Sequence, residues 1–380
     1  MANTTRAAVL WEAGKDWQIE DVELDEPRAG DVLVTMKVAG MCHSDEHAVT
    51  GDLPMPLPVI GGHEGAGVVE AVGPGVTSVS PGDHVAVSFV PSCGRCRWCS
   101  SGRSYICNEG AKLFDIGMMS DGREAHHVAG PSGRQAVGRY AQVVTFSEQI
   151  LCSENSVIAV DKDLPFHALA LVSCGVGTGF GSATERAGTK PGDNVAVIGV
   201  GGIGINAVQG ARIAGAKRVI AIDPIEFKRE QAMLFGATHA YASIEEALAA
   251  VPDLTWGEMC DRVILSAGVV HGDMVEPALS LTSKGGTLVV TGLAPMVEQD
   301  AQLNLFMLSM LNKEVKGTIF GSSNPREMIP RLLSMYRQGD LKIDELVTRR
   351  YTLDQVNEGY QDMRDGKNIR GVIDFDLPSA

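Results

Sequence analysis

Apolar and polar side chains alternate along the first part of the chain in a way that predicts short strands. Between residues 31 and 39, Val32, Val34, Met36 and Val38 take every second position, which is the period of a strand with two unlike faces. Residues 7–11 and 17–23 read the same way. Strands at 65–72 and 84–89 follow, each next to turn chemistry, Gly73-Pro74-Gly75 in one case and Pro81-Gly82-Asp83 in the other. This is a β-rich domain, with the segments around Cys42 and His63 as its loops. At 166–174 the pattern turns helical and apolar. Beyond it strands and helices alternate: 194–198 with 205–214, then 218–222, 239–242 with 244–250, 262–266 with 274–281, 287–292 with 303–311, and finally 315–320. That alternation predicts an α/β class and a doubly wound parallel sheet of six strands. After Gly321 the style of the first domain returns. A helix follows Asn324-Pro325, Thr352 and Gln355 form a capping box that opens a helix to about Met363, and 368–375 reads as a strand. The stretch 108–140 is long and irregular, with Asp121-Gly122 as a candidate hairpin turn and 130–133 as a loop; it walls a channel or covers a partner subunit.

Composition narrows the class. A chain of 380 residues exceeds one ordinary core, so two domains are expected. With 44% hydrophobic and 21% charged residues it is globular. A formal charge of −15 argues against nucleic acid as a partner, which needs clustered Lys and Arg, but leaves a nucleotide cofactor open. Neither a signal-peptide core nor an apolar run of spanning length is present, so no membrane partner is expected and the expected compartment is cytoplasmic. There the eight cysteines read as metal ligands before disulfides.

The chemistry concentrates first at 41–64. Cys42, Ser44, Asp45, His47, His63 and Glu64 fall within about two dozen residues, a mixture that few cores need. Zn²⁺ takes thiolate and neutral imidazole together, and a catalytic zinc keeps one position open; Cys42 and His63 supply two ligands and Cys174, at the end of the apolar helix, a third. The bland alternative for the first pair is a buried thiol and a packed imidazole. Cys93, Cys96, Cys99 and Cys107 follow the spacing C-x₂-C-x₂-C-x₇-C. Four thiolates close a tetrahedral shell and leave no position for chemistry, so this lobe is a structural zinc site; an iron–sulfur cluster fits the spacing less well. Arg95, Arg97 and Arg103 either offset the surplus negative charge there or form a solvated face. His126 and His127, adjacent on a strand, point to opposite faces and read as surface or packing residues. Cys152 and Cys260 read as small buried hydrophobes.

The second concentration is Gly199, Gly201 and Gly204 in G-x-G-x-x-G, with Gly202 and Ile203 between them. A strand precedes the motif, a helix follows, and Asp223 ends the next strand. Such glycines let a backbone approach a pyrophosphate, and the acidic residue meets ribose hydroxyls, which favours NAD over NADP. The two concentrations combine into one chemistry: zinc as Lewis acid eases loss of an alcohol's proton, and hydride passes to a nicotinamide. Ser44 takes the proton and His47, nearer solvent, receives it through the cofactor ribose. Asp45 accepts from the other nitrogen of His63. Glu64 enters the zinc shell when water leaves, or else forms a salt bridge. Arg370 is a guanidinium for the cofactor diphosphate, or a surface residue.

The run C-H-S-D from Cys42, G-H-E-G-A-G-V-V-E-A-V-G-P-G-V at 62–76, the four-cysteine lobe, C-G-V-G-T-G-F-G-S-A at 174–183 and G-V-G-G-I-G with Asp223 together resemble the zinc-dependent medium-chain alcohol dehydrogenases over nearly the whole chain. The resemblance implies a GroES-like catalytic domain from 1–174 and 320–380, with the structural zinc lobe at 90–110, and a Rossmann NAD-binding domain at 175–319. It implies catalytic zinc on Cys42, His63 and Cys174 and a second zinc on the cysteine tetrad. It further implies that His43 and Arg370 touch the pyrophosphate, that Lys228 lies by the adenosine ribose, and that Thr178 and Ile203 pack on the nicotinamide. Gly292, Leu293 and Phe320 belong to the same cofactor site, and Phe89 and Leu293 line the substrate pocket. Within the family, 223–232 and 284–294 resemble the actinobacterial nicotinoprotein branch, in which NAD(H) stays bound through turnover and a nitrosoaniline serves as acceptor. The segment 135–144 is longer than in the common members. The implied substrate is a small alcohol or aldehyde. A dehydrogenase of thiol–formaldehyde adducts shares the framework, and a zinc- and NAD-binding sensor is the non-enzymatic alternative. The apolar helix 303–311 ahead of an edge strand predicts a homo-oligomer, a dimer or tetramer, paired through that edge.

Overall fold

A computed structural model describes residues 3–110, 122–130 and 133–378. Asp121 and residues 131–132, parts of two expected turns, lie outside them. The chain divides into two compact units, one of Met1–Cys174, Asn324–Gln338 and Ile343–Ala380, the other of Gly175–Ser323 and Gly339–Lys342.

The first unit opens with β1 (Asn3–Leu10), β2 (Gln18–Leu24) and β3 (Asp31–Gly40), then α1 (His43–Thr50), β4 (Val59–Ile60), β5 (Glu64–Val72) and β6 (His84–Ser88). It continues through β7 (His126–Gly130), β8 (Gly133–Ala136), β9 (Gly138–Arg139), β10 (Gln149–Ser153) and β11 (Val157–Val160) to α2 (Phe166–Val172). β3 is its spine. β5 pairs along one edge of β3, β10 along residues Asp31 to Thr35 of the other, and a late strand along its last residues. Of β3 only Thr35 and Lys37 escape full burial, because a strand flanked on both edges and covered on both faces leaves little for solvent. The alternation expected for a one-faced strand is therefore softened.

The second unit contains α3 (Gly175–Gly181), β12 (Asn194–Ile198), α4 (Gly204–Ile213), β13 (Arg218–Ile222), α5 (Glu226–Leu234), β14 (His239–Tyr241) and α6 (Ile244–Thr255). β15 (Cys260–Leu265), α7 (Val275–Leu281), β16 (Thr282–Val290), α8 (Leu305–Met310) and β17 (Glu314–Gly317) complete it. Its sheet has the order β14-β13-β12-β15-β16-β17, with every pairing parallel. Val195, Ala196, Val197, Val219, Ile220, Ala221, Val263 and Ile264 are wholly buried, as continuous apolar strands covered by helices on both faces must be. The order reverses direction between β12 and β15, and crevices at such switch points, beyond the carboxyl ends of the strands, are where nucleotides bind.

The chain then returns to the first unit with α9 (Pro325–Gln338), β18 (Val347–Tyr351), α10 (Val356–Arg364) and β19 (Arg370–Asp374). Thr352 and Gln355 do form a capping box. β19 is the strand that pairs with the last residues of β3. Among the described residues, no single helix is long and apolar enough to cross a membrane.

Candidate active site and metal centres

The segment after β3 is a helix and not the loop expected from sequence. Cys42 precedes it in extended conformation, and α1 turns Asp45, Glu46, His47 and Ala48 inward. Three of these four are ionisable, so the helix has no apolar stripe for a periodicity to reveal. The inward face is the site. Cys42 Sγ, His63 and Cys174 Sγ bring one donor atom each within 4.8 Å of one another, and all three residues are buried. His63 Nε2 lies 3.3 Å from Cys174 Sγ. Behind the ring, His63 Nδ1 is 3.1 Å from Asp45 Oδ1, and the same oxygen accepts the Gly62 N–H at 3.1 Å. Asp45 thus directs Nε2 at the two thiols, in the way a carboxylate orients a metal-ligating imidazole.

The electrostatics are those of a cation site. Cys174 beside it draws the Cys42 thiol well below its usual value; burial opposes this, and His63 and Arg370 add to it. Burial also opposes protonation of His63, yet the charge and hydrogen bond of Asp45, together with Cys42, push the ring up to about 10. Two thiols and an oriented imidazole fit Zn²⁺, with a fourth position open for substrate.

Ser44 Oγ stands 3.4 Å from Cys42 Sγ. His47 does not lie nearer solvent, as the relay in the sequence suggested: it is 2% exposed, because it sits on the inward face of α1, with Nδ1 3.1 Å from Asp52 Oδ2. Its ring meets that of His43 edge-on at 5.4 Å. Glu64 is not one of the three clustered donors; its carboxylate is paired with the Arg370 guanidinium, so of the two roles left open for it the structure displays the salt bridge. Phe89 packs edge-on to His63 at 5.3 Å, beside the metal donors.

Two residues of this site carry no sequence signal. Tyr140, from the irregular stretch, donates its hydroxyl to the Ser44 carbonyl at 2.6 Å and lays its ring 5.6 Å from His63. Burial pushes its phenol well up, so it remains a donor. Asp52 is one of many acidic residues until the turn after α1 seats it on His47.

The four remaining ligands converge separately, with one sulfur from each of Cys93, Cys96, Cys99 and Cys107 within 4.8 Å of the others. The backbone N–H of Cys99, then that of Asn108, pulls the Cys96 thiol down to about 6. Amides aimed at a sulfur favour the thiolate that zinc needs, whereas burial pushes Cys99 up to about 12 and raises Cys107. Arg97 and Arg103 take neither expected role simply, as both stack on Trp98, at 4.3 and 4.8 Å from the ring centroid. His126 and His127 are both buried and outside the metal clusters, which leaves packing and not surface. Cys152 and Cys260 are wholly buried, as expected.

In the second unit the three motif glycines divide the work. Gly199 has φ +81, and a Cβ on it would meet Ala267 at 2.6 Å. A Cβ on Gly204 would lie 1.8 Å from the Gly199 carbonyl, so this glycine lets α4 start against the strand end. A Cβ on Gly201 would meet nothing within 4 Å; the backbone there faces open space, which is where a diphosphate approaches. Asp223 accepts from Val200 N at 3.0 Å and Ile225 N at 2.9 Å, fixing the loop to the tip of β13. Lys228 lies in α5, behind that tip. Thr178 is on α3, whose Gly179 approaches the Ile203 carbonyl so closely that a Cβ would lie 2.1 Å away. Ser182, one turn on, meets Thr291 Oγ1 at 3.1 Å, which places Gly202, Ile203, Gly292 and Thr178 around the same strand ends. Phe320, buried at φ +49, begins the turn whose Gly321 packs on Gly181, whereas Leu293 is 47% exposed.

The comparisons agree with this geometry. Residues 28–159 match the model of the alcohol dehydrogenase GroES-like domain, and 202–337 that of zinc-binding dehydrogenases. An NDMA-dependent alcohol dehydrogenase of Amycolatopsis methanolica is 52% identical over 97% of this chain and 98% of its own. Alcohol dehydrogenase B of Mycobacterium tuberculosis is 46% identical over 98% of each. Among solved structures, an alcohol dehydrogenase zinc-binding domain protein from Burkholderia ambifaria superposes with a TM-score of 0.91 at 31% identity, covering 100% of both chains. Benzyl alcohol dehydrogenase from Acinetobacter calcoaceticus gives 0.89 at 30% identity, covering 98% of this chain and 99% of that one. With its two zinc sites and its dinucleotide-binding fold, the chain belongs to the zinc-dependent medium-chain alcohol dehydrogenases, oxidoreductases acting on CH–OH groups.

Proposed function

We propose that this dehydrogenase moves hydride between a small alcohol and an NAD(H) that stays bound through turnover, passing electrons to an acceptor of the NDMA kind. The observation that carries the reaction is the buried convergence of Cys42, His63 and Cys174 with Asp45 behind His63. The nicotinoprotein mode is supported by the NDMA-dependent relative at 52% identity. Zinc held by the three donors supplies Lewis acidity to the alcohol oxygen, and NAD supplies the hydride acceptor. The protein's own part is to hold and move the proton. Ser44, beside Cys42, receives it from the alcohol hydroxyl, and His47 takes it onward. Tyr140 holds the Ser44 backbone, and Phe89 gives the site an apolar wall.

His43 and Arg370 are assigned to the diphosphate. In support, Arg370 is 4% exposed and its Nε has no hydrogen-bond partner among the described residues, so a donor is available beside its pairing with Glu64. Lys228 and Asp223 are assigned to the adenosine ribose, and Thr178, Ile203, Gly292, Leu293 and Phe320 to the nicotinamide half. The catalytic domain is assigned to 1–174 and 320–380 and the NAD domain to 175–319, although residues 320–323 and Gly339–Lys342 cluster with the second compact unit. The enzyme is a cytoplasmic homo-oligomer, in keeping with eight cysteines none of which is in a disulfide and with the exposed apolar side chains of α8.

An absorbance spectrum of the purified, exhaustively dialysed protein tests this. Addition of an alcohol is expected to raise a reduced-nicotinamide band without added NAD, and NDMA to bleach it. Turnover that depends on added NAD after dialysis would reject the bound-cofactor mode while leaving the dehydrogenase reaction in place.

A further inference from the structure

The turn that follows α1 is built around His47. Gly51 has φ 82 and ψ 6, a left-handed conformation that reverses the chain at little cost only for glycine. The Leu53 N–H comes back onto the His47 carbonyl at 3.0 Å, and Asp52, between them, lands on the ring. Its Oδ2 lies 3.1 Å from His47 Nδ1 and accepts the Thr50 hydroxyl at 2.7 Å. The imidazole is 3% exposed and the carboxylate 28%. The pair therefore runs from a buried ring towards a partly solvated acid, with Thr50 fixing the acid.

We infer that Asp52 is a positioning residue for His47, holding the ring in the tautomer that carries hydrogen on Nδ1 and takes up a proton on Nε2. The inference rests on the reading of His47 as the proton acceptor. The Thr50 hydrogen bond, against a smaller effect of burial and with help from His47 and His43, keeps the Asp52 carboxyl below the usual carboxylate range. An ionised carboxylate only accepts, so the hydrogen between them belongs to Nδ1 and the lone pair to Nε2. When Nε2 gains a proton the ring becomes a cation facing a fixed anion, as the histidine of a hydrolase triad does with its aspartate. The same helix uses this device twice. Asp45 holds His63 Nδ1 so that Nε2 faces the thiols, and Asp52 holds His47 Nδ1 so that Nε2 serves the proton.

The test uses the full-length holoenzyme labelled with ¹⁵N in histidine, with His47 assigned by its loss in His47→Gln. Long-range ¹H–¹⁵N correlation should show Nδ1 protonated and Nε2 bare. Asp52→Leu should move His47 to a tautomer mixture and slow single-turnover alcohol oxidation roughly tenfold or more. KM and zinc content should stay unchanged, and added imidazole should restore the rate. Asp52→Asn, which keeps the shape but can turn an amide N–H to Nδ1, should shift the tautomer and lower the rate in the same direction, and so covers misfolding of the leucine variant; Asp52→Glu, which keeps a carboxylate, should retain most of both. A wild-type ring protonated on Nε2, or a tautomer and rate indifferent to Asp52→Leu, overturns the inference alone. A single-turnover rate unaffected by His47→Gln overturns the reading of His47 and the inference with it.

Discussion

A carboxylate without solvent depends on the donors it has, and Asp45, wholly buried, takes both on Oδ1, from the ring of His63 and the amide of Gly62, while its Oδ2 has no hydrogen-bond partner among the described residues. Asp45→Ala strands both donors and frees the imidazole to turn, so the affinity of the three-donor site for zinc should fall about 10- to 100-fold. Chelator competition is expected to leave one zinc per chain, on the distant cysteine tetrad. His126 presents the opposite case. It is wholly buried, neither ring nitrogen has a hydrogen-bond partner among the described residues, and burial, then Arg139 and His127, hold its pKa well below the usual imidazole value. The native state therefore keeps this ring neutral, while the unfolded chain protonates it as pH falls through about 6.5. Below that point the unfolded state binds the extra proton, and stability should drop by up to about 1.4 kcal/mol per pH unit from this group. His126→Phe should flatten the dependence of melting temperature on pH between 6.5 and 5. The raised pKa of metal-free His63, about 10, makes stability depend on pH between that value and about 6.5, above the window in which His126 acts.

At the scale of elements, the strands of the second unit were legible because each is apolar by position: β12 and β13 occupy the residues read from sequence, and the other strands differ at their ends, whereas α5, Glu226–Leu234, with a single buried residue, was not read as a helix. What escaped were the elements whose chemistry or packing overrides periodicity. α1 hides because its buried face is charged. α3, Gly175–Gly181, is too rich in glycine to be read as a helix, yet is a buried one whose glycines let the Ile203 carbonyl and Gly321 come within a Cβ's reach. The metal donors were legible as residue types at telling spacings, whereas Tyr140 and Asp52 were not, since each acts through a contact that only the fold creates. The motif glycines give a sharp contrast. Gly204→Ala sets a Cβ 1.8 Å from a backbone carbonyl and must push α4 off the strand end, which should cost about 1–3 kcal/mol in denaturant unfolding. Gly201→Ala meets no protein atom within 4 Å, so stability should hold. A weakening of dinucleotide binding by roughly tenfold or more, read by retention of nicotinamide absorbance on gel filtration, should be its only effect.

At the scale of the whole molecule, charge and apolar surface pull against each other. A net charge of −15 makes copies repel, yet α8 has no buried residue and exposes Leu305, Phe306 and Met310 at 67%, 69% and 67%. Beside it β17 ends the sheet order, with Val315 also exposed and a line of backbone groups ready to pair. Side chains of this size, contiguous in sequence and next to an open sheet edge, are what a two-fold interface buries; as free surface they would invite aggregation. The proposed homo-oligomer follows, and one substitution probes it. Phe306→Glu places a carboxylate in the middle of the patch and, by symmetry, opposite or near its own copy, where an unpaired charge cannot be desolvated without a penalty of several kcal/mol. Light scattering should give a mass of at least two chains for the wild type and of a single 40.3 kDa chain for the variant, with both zinc ions retained. A wild-type enzyme that runs as a monomer would remove the interface. A variant that keeps its full mass would move the interface to another face.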